Sequence, residues 1–426
     1  MPAYVGSSYT RGASADHSAD DLVSGRALED LIEGLRRAGE VIKSDRAPQG
    51  PVDQAAGYRH LLVLLALGID DALRRSDPYD PHFSPANVDN VLKWGMDCPD
   101  AAYTGAAVRG DGYYVVRGNR GNLRYLGFQA MAGIESTSNV VANDLPVGAD
   151  GSFELVLSAE QPDDVAPENW MQLSDRTSSL VVRQFFYDWE KENPAQLEIE
   201  CTGRLPGSMS AAGRSAVPGG AHVANELANQ LDAAGIANQL AALGEFTDAS
   251  FRFWQDVEEG GRAQGINIFR EPAALTQMGA AAENVSVWGS WELAYDEALL
   301  VEVAPPEALY WSVSVGNHWW ETIDYANHQS SLNGFQAVVD SDGMFRAVVS
   351  AKDPGIANWL DTAGNTQGPM IFRWLRASSH PVPSTKVIPF HSIGAALPAG
   401  TARTNPEERE MVIHKRRAGV RRRFPR

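Results

Sequence analysis

The densest group of polar and aromatic side chains in this sequence of 426 residues spans residues 316–333. Its members that can titrate or donate a proton are His318, Glu321, Asp324, Tyr325 and His328. A histidine beside a carboxylate can exchange protons near neutral pH, as general acid–base catalysis requires. Polar side chains on a loop after an apolar strand are also the usual residues of binding sites. We therefore take this stretch, called the histidine segment below, as the candidate site.

Side-chain chemistry indicates a role for each residue of the histidine segment. We expect His318 to be the acid–base group, with Glu321 or Asp324 as the carboxylate that orients it. Tyr325 is expected to be a proton donor. The residues expected to contact a ligand are Asn317, Trp319, Trp320, His328, Asn333 and Arg373. If the segment continues as a strand, its side chains alternate between two faces, with His318 and Trp320 opposite Glu321.

Two other interpretations of the histidine segment stay open. Its polar side chains can satisfy one another as a structural network that caps the ends of strands. Histidines and carboxylates are also ligands of several divalent ions, so a metal-containing protein is an alternative, although no ligand set is assigned. A non-catalytic ligand-binding or scaffold module is the main rival of an enzyme. The sequence identifies no cofactor and leaves open whether the protein is an enzyme.

An internal repeat is the most informative feature of the remaining sequence. Residues 150–162 align with residues 342–354 without gaps, and seven of the thirteen positions are identical. The order of turn, strand, Asn-Trp pair and arginine-containing strand is the same in both copies. Each copy is therefore expected to form one lobe, in which two sheets pack face to face as a β-sandwich.

Two Asn-Trp pairs and two arginines occupy matching positions in the copies. The Asn-Trp pairs are Asn169 with Trp170 and Asn358 with Trp359. Their recurrence favours a structural role, in which the asparagine governs a turn and the tryptophan closes the end of the sandwich. A buried arginine needs a partner, and in the first copy we expect Arg183 to pair with Asp175. In the second copy the expected pair is Arg373 and Asp361.

The first copy is expected to contain a diverged counterpart of the histidine segment. Residues 117–124 hold a Gly-Asn step, Gly118 and Asn119, that resembles Gly316 and Asn317. The residues after this step are basic and glycine-rich and include no histidine. We therefore expect the chemistry to be confined to the second lobe.

Hydrophobic periodicity divides the rest of the chain. Apolar residues three and four positions apart predict helices in residues 21–93 and in an insert between the lobes, residues 204–285. Short β-type runs bounded by Gly, Asn and Asp predict strands in lobes at residues 94–203 and 286–392, including one at 335–339. The predicted fold class is α+β. It is mainly β, with two duplicated sandwich lobes of jelly-roll type, an N-terminal helical segment and a helical insert.

The two ends of the chain have compositions of their own. Residues 1–20 are rich in Ser, Ala, Asp and Gly and are expected to be a disordered leader without a secretory signal. Residues 393–426 are expected to be a tail that is basic at its end. Such a tail can contact acidic lipid, nucleic acid or the protein's own acidic surface, and a solvated tail is the simplest expectation.

Composition limits the class of partner. The net charge of −18 argues against nucleic acid, because attraction to phosphates needs a basic face. The longest apolar run, residues 61–69, is about half of what a membrane-spanning helix needs. Two cysteines are too few for a disulfide framework, which favours the cytoplasm. Eleven tryptophans and twelve tyrosines suit a small ligand with a flat face, such as a sugar ring, a sterol or an aromatic acid. A homo-oligomer is compatible with this composition.

Three groups of residues carry a family resemblance. They are Trp94-Gly95 with Asp97-Cys98-Pro99-Asp100 before Tyr103, Asn317-His318-Trp319 through His328, and Asn358-Trp359-Leu360-Asp361-Thr362-Ala363-Gly364 with Arg373-Trp374. These stretches resemble the bacterial family known as domain of unknown function 1214, here as an actinobacterial-type member. The resemblance extends over roughly residues 94–390 and is most specific in the second half. It implies a β-sandwich C-terminal domain with a related domain before it, and it implies no agreed reaction and no catalytic residue.

Overall fold

The structure is a computed structural model that describes residues 17–74, 78–83, 88–202, 232–276, 279–281 and 283–424. Most of the expected leader, residues 1–16, lies outside these ranges, as do the apolar positions Val223, Leu227 and Leu231 of the expected insert. In the described part of the chain, none of the helices is long and apolar enough to cross a membrane.

The helices before and between the lobes pack together as one layer. They are α1 (Ala19–Val23), α2 (Arg26–Lys43), α3 (Pro51–Arg74) and α4 (Ala233–Arg262). Helices α2 and α4 meet at Gly34 and Gly244, where a Cβ added to Gly34 would lie 2.6 Å from the Gly244 Cα atom. This close approach requires glycine, since any larger side chain would push the helices apart. Helices α2 and α3 lie in the helical region predicted at residues 21–93, and α4 lies in the predicted helical insert, residues 204–285.

The first lobe is a sandwich of two four-stranded sheets. Its strands are β1 (Ala101–Ala107), β2 (Tyr114–Asn119), β3 (Tyr125–Ala132), β4 (Glu135–Val141), β5 (Ser152–Ser158), β6 (Trp170–Gln172), β7 (Ser179–Phe185) and β8 (Gln196–Cys201). The sheet orders are β1-β7-β3-β4 and β6-β5-β2-β8. Apolar side chains from both sheets form one core, with Phe128 and Val182 from the first sheet against Leu155 from the second.

The second lobe repeats this arrangement. Its strands are β11 (Asn284–Glu292), β12 (Glu297–Val303), β13 (Ala308–Val315), β14 (Ser331–Asn333), β15 (Phe345–Ser350), β16 (Trp359–Asp361), β17 (Gln367–Ala377) and β18 (Ser384–Pro389). Two short strands precede them, β9 (Ile268–Phe269) and β10 (Ala273–Ala274). The sheet orders are β10-β11-β17-β13-β14 and β16-β15-β12-β18. The strand predicted at 335–339 is wrong, because that stretch is a turn with a single isolated bridge at Val339.

The strand orders confirm that the sequence repeat is a structural duplication. The order β1-β7-β3-β4 recurs as β11-β17-β13-β14, and β6-β5-β2-β8 recurs as β16-β15-β12-β18. In each lobe the short strand that begins at the repeated tryptophan runs parallel to its neighbour. Trp170 lies opposite Val156 in the first lobe, and Trp359 lies opposite Val348 in the second. Both sandwiches are thus built from the same unit.

The Asn-Trp pairs make structural contacts in both lobes, as hydrogen bonds to the neighbouring strand. In the second lobe Asn358 donates a hydrogen bond to the carbonyl of Arg346 at 2.9 Å, and the Trp359 indole donates to the carbonyl of Ser350 at 3.0 Å. Asn169 and Trp170 make the corresponding contacts in the first lobe. Each pair therefore fastens the short parallel strand to the strand beside it.

The basic C-terminus forms a docked helix, and the expectation of a solvated tail is wrong. It contains α5 (Ile393–Ala396) and α6 (Pro406–Arg423), in which Arg409, Arg416 and Arg423 recur at every seventh position and are all buried. The Arg416 guanidinium donates to the carbonyl oxygens of Tyr325 at 2.8 Å and of Ser331 at 3.0 Å. Residues seven apart share one helix face, so this face binds backbone carbonyls and aromatic rings and is withdrawn from solvent.

Candidate functional site

The histidine segment begins as a tight loop at the end of β13. The Asn317 side-chain oxygen accepts hydrogen bonds from the backbone N–H groups of Trp319 at 3.0 Å and Glu321 at 3.2 Å. Trp320 adopts a left-handed backbone with φ of 58°. The segment is therefore a loop after an apolar strand, as expected, because the asparagine side chain competes with the ladder for backbone donors. The alternation of His318 and Glu321 between two faces, which a continuing strand would give, is absent.

The loop is an insertion between two strands that form a short hairpin in the first lobe. Gly127 of β3 lies opposite Arg183 and Val141, and Ser312 of β13 lies opposite Arg373 and Asn333 at the equivalent positions. The counterpart of the histidine segment is thus the short β3–β4 turn. The expected counterpart at residues 117–124 is wrong, since that stretch begins inside β2, whose equivalent is β12.

The carboxylate of Glu321 meets a histidine from the helical layer. Glu321 Oε1 lies 2.9 Å from Nδ1 of His60, a residue of α3, and both side chains are about 1% exposed. Oε2 accepts a hydrogen bond from Asn317 Nδ2 at 3.1 Å, with the Arg59 guanidinium 3.6 Å away. Burial alone would raise the pKa of Glu321, but His60, Arg59 and Lys93 hold that pKa below its usual value. Glu321 is therefore an ionised carboxylate inside the protein.

His60 is held from one side only. The Glu321 carboxylate accepts its hydrogen bond, so Nδ1 carries a proton. The other ring nitrogen, Nε2, is buried and has no hydrogen-bond partner. The ring packs edge-on against Phe251 of α4, with centroids 5.1 Å apart, in the apolar surroundings of the helical layer. His60 was missed from the sequence, where it stands at the start of an apolar run and lacks any local motif.

His318 has a different environment from His60. It is 2% exposed, its Nδ1 lies 3.1 Å from the Gln367 side-chain amide nitrogen, and its Nε2 is buried without a partner. Burial, together with Arg262 and Arg46, lowers the pKa of His318 to about 4, so the ring is neutral at physiological pH. Because an amide N–H donates to Nδ1, the single ring proton resides on Nε2. Trp319 packs edge-on against His318 and against Phe251, the ring that also contacts His60.

The other titratable residues of the histidine segment have separate partners. Asp324 is half-buried and accepts from the backbone N–H groups of Ala326 at 3.1 Å and Asn327 at 3.2 Å, so it caps a turn. His328, expected as a ligand contact, is half-buried, with Nδ1 2.7 Å from Asp361 Oδ2. Tyr325 is buried. The structure therefore brings Glu321 together with His60 and leaves these three residues in contacts of their own.

The buried side chains of Lys93 and Asp97 bind the loop at Thr322. Lys93 donates to the carbonyl of Thr322 at 2.6 Å and lies 4.4 Å from the Tyr325 ring centroid. Asp97 accepts from the Thr322 backbone N–H at 3.1 Å and from its hydroxyl at 2.6 Å. Burial lowers the pKa of Lys93 and raises that of Asp97. Both residues were missed as site residues, although Asp97 belongs to the stretch that carries the family resemblance.

Asn333 and Arg373, expected as ligand contacts, bind protein groups. Asn333 donates to the buried carboxylate of Asp100 at 2.6 Å. Arg373 donates to the Ser314 hydroxyl at 3.0 Å and to the carbonyl of Met96. The expected pair of Arg373 and Asp361 is wrong, because Asp361 binds His328.

The expected partner of the first arginine is also wrong. Arg183 donates to the carbonyl of Gly279 and lies against the Tyr103 ring, whereas Asp175 is exposed. Among the described residues, no group of three or more His, Cys, Asp or Glu side chains is placed to hold a metal ion. The hydrogen bonds of Thr322, Asn333, Arg183 and Arg373 described above all join groups within the protein.

Comparisons with known proteins place the chain in a family. The model of the DUF1214 family, described as a protein of unknown function, matches residues 128–187 and 292–379, which lie in the two lobes. An uncharacterized protein from Burkholderia cenocepacia, of solved structure, is 30% identical with a TM-score of 0.76, over 88% of this chain and 100% of that chain. A protein from Vibrio parahaemolyticus, also of solved structure, is 11% identical with a TM-score of 0.42, over 83% of this chain and 100% of that chain. No curated protein matches the sequence. The segments matched by the family model, together with the full-length likeness to the Burkholderia protein, show that this chain belongs to the DUF1214 family.

Proposed function

We propose that this protein binds a small organic molecule beside His60 and Glu321 and performs acid–base chemistry on it. The observation that supports the proposal is the unpartnered Nε2 of a buried histidine whose Nδ1 is held by a carboxylate. When the ring is neutral, that hydrogen bond leaves the lone pair on Nε2. A carboxylate that orients a histidine in this way is the arrangement of a general base.

The unpartnered Nε2 atom of His60 is also energetically unfavourable. A buried polar atom without a hydrogen bond costs free energy, roughly 1–3 kcal/mol. His60 has its Nε2 atom in that position among apolar rings, where a leucine of similar size would carry no such penalty. Retention of a histidine at this cost supports a role in contacting something other than the protein.

His318 contributes a second function to the proposal. Its neutral ring presents an N–H group at Nε2, and such a group can donate to a carbonyl or hydroxyl oxygen of a ligand. Trp319 packs against His318 and against Phe251, and Phe251 in turn packs against His60, so these rings give the site aromatic walls. This composition suits a ligand with a flat apolar face, such as a sugar ring, a sterol or an aromatic acid.

The proposal extends to the class of partner and the location of the protein. The acidic net charge of −18 favours a small-molecule partner over nucleic acid. Neither cysteine forms a disulfide, which supports a cytoplasmic location. A homo-oligomer stays a prediction. A non-catalytic ligand-binding module is the alternative, in which the two histidines only hydrogen-bond the ligand.

The test begins with a ligand screen by thermal unfolding, with sugars, sterols and aromatic acids as the panel. We expect a compound that stabilises the wild-type protein and loses its effect in His60→Gln. His414→Gln is the matched control, since His414 is exposed on α6. Mass spectrometry of the compound after incubation then separates catalysis from binding. Equal stabilisation of the wild type and His60→Gln by every compound that binds would refute the proposal.

A further inference from the structure

A second group of buried polar atoms without partners lies where the last turns of α4 approach β11. The atoms are Glu258 Oε1, Arg262 Nη1, and Nε and Nη1 of Arg270. Each belongs to a charged side chain, for which an unmet hydrogen bond is most costly. None of these residues has a role in the chemistry proposed for His60 and Glu321.

A chain of direct contacts connects Glu258 to Arg270, and Arg262 follows Gly261 at the end of α4. Glu258, which is fully buried, accepts a hydrogen bond at Oε2 from the Trp320 indole at 3.1 Å. The Trp320 ring meets Trp288 edge-on at 5.2 Å between centroids, and the Arg270 guanidinium stacks on Trp288 at 3.8 Å. A Cβ added to Gly261 would lie 2.7 Å from Arg270 Nη2, so α4 has no side chain where the guanidinium approaches it.

The charges of these residues are not paired in the usual way. Arg262 forms an ion pair with Glu292 through Nη2, which leaves Nη1 free. Arg270 makes no ion pair with another described residue, and its hydrogen bond to the Ser290 hydroxyl is long, at 3.4 Å. Glu258 interacts electrostatically with both arginines without contacting either. Both guanidinium groups thus have buried N–H donors that find no acceptor among the described residues.

The unmet groups are mainly donors, since three of them are guanidinium N–H groups. Burial raises the pKa of Glu258, which makes its charged form less favourable than in water. The partial negative charge at the C-terminal end of α4 opposes an anion. The full positive charge of Arg270, which has no ion pair with a described residue, outweighs that partial charge.

We propose that Arg262, Arg270 and Glu258 form a binding site for the oxyanion of a small ligand, a carboxylate or a phosphate group. Guanidinium groups bind both kinds of oxyanion through charge-assisted hydrogen bonds. An acceptor oxygen placed between the two arginines satisfies the donors that the protein leaves unmatched. The site is independent of the chemistry proposed at His60, and either can hold without the other.

The test measures binding of acetate and of inorganic phosphate to the full-length protein by calorimetry, with chloride used to keep the ionic strength constant. We expect saturable binding of at least one anion. Tighter binding of acetate would identify a carboxylate as the natural group, and tighter binding of phosphate would identify a phosphate group. Arg270→Met should raise the dissociation constant by roughly tenfold or more, because a charged hydrogen-bond donor is lost. Arg252→Met is the control, since Arg252 lies on α4 and its side chain is 51% exposed.

A second variant keeps the test decisive if Arg270→Met fails to fold. Glu258→Gln retains a hydrogen-bonding amide and removes the carboxylate, so it should bind the anion at least as tightly as the wild type. Loss of anion binding in Glu258→Gln would overturn the proposal, because it would show that the carboxylate binds a cation or that the site holds water alone. Absence of saturable binding of both anions to the wild type would overturn it equally, as would wild-type affinity in a folded Arg270→Met variant.

Discussion

The pair of Glu321 and His60 gives the sharpest prediction about stability. Replacing Glu321 by alanine leaves the His60 ring buried without its carboxylate partner, and each residue is about 1% exposed in the native protein. Solvent therefore cannot replace the lost hydrogen bond. Removal of one partner of a buried pair costs about 3–5 kcal/mol, and we expect Glu321→Ala to lower the free energy of unfolding by that amount.

Denaturant unfolding at neutral pH measures this loss, and an exposed pair in the same protein provides the control. Arg117 and Glu154 are 2.8 Å apart, but both side chains are 52% exposed. Glu154→Ala should therefore cost less than about 1 kcal/mol. The double variant of Glu321→Leu with His60→Leu should be less destabilised than Glu321→Ala, because it removes the buried polar groups together.

The pair also predicts a dependence on pH. The pKa of Glu321 is lower in the folded protein than its ordinary value of 4.5, so the unfolded chain takes up a proton first as the pH falls. The stability contributed by the pair is complete above pH 4.5 and declines as the pH falls through the folded pKa. Glu321→Gln should lack this part of the acid decline. A loss below about 1 kcal/mol for Glu321→Ala, equal to that of Glu154→Ala, would refute the claim that the buried pair anchors the loop.

Three further predictions concern other parts of the fold. Trp359→Ala should lower the free energy of unfolding by about 3–5 kcal/mol, since the ring is 8% exposed and bonded to Ser350, and denaturant unfolding with an unchanged m-value would check it. The His318 ring should stay neutral down to a pH of about 4 in nitrogen-15 NMR spectra. The free energy of unfolding should fall between pH 6.5 and 4, because the unfolded chain binds the proton first. Titration of His318 near pH 6.5 would contradict this. Arg416→Met should cost about 1–3 kcal/mol for each buried carbonyl that it leaves unmatched, at Tyr325 and Ser331, and a variant as stable as the wild type would contradict the docked arrangement of α6.

Local sequence patterns were sufficient to predict the architecture. The repeated Asp-Gly turn, apolar strand and Asn-Trp pair specify one sandwich unit, because each element depends on residues near it in the chain. Helices α3 and α4 follow from apolar spacing in the same way. The recurrence of the Asn-Trp pair predicted equivalent places in the two lobes, and this is confirmed, since Trp170 and Trp359 begin the same short parallel strand in each lobe.

The rules of periodicity gave a wrong result at residues 335–339. This run is apolar enough for a strand, but it forms a turn, in which Asn333 accepts the Phe335 backbone N–H at 3.0 Å. The loop expected after β13 begins in the same way, because the Asn317 side chain accepts the backbone N–H groups of Trp319 and Glu321. In both places an asparagine oxygen captures backbone donors, and this competition depends on one side chain rather than on periodicity.

The sequence by itself determined the duplicated sandwich, the helical layer and the position of the histidine segment. Only the tertiary structure decided which groups meet there. Glu321 binds His60, which lies 261 residues earlier in the chain, and Arg416 reaches the loop from a C-terminus that was expected to be solvated. Secondary structure follows from interactions between near neighbours in the sequence. The partner of a buried charge depends instead on which distant surfaces are brought together when apolar faces are buried.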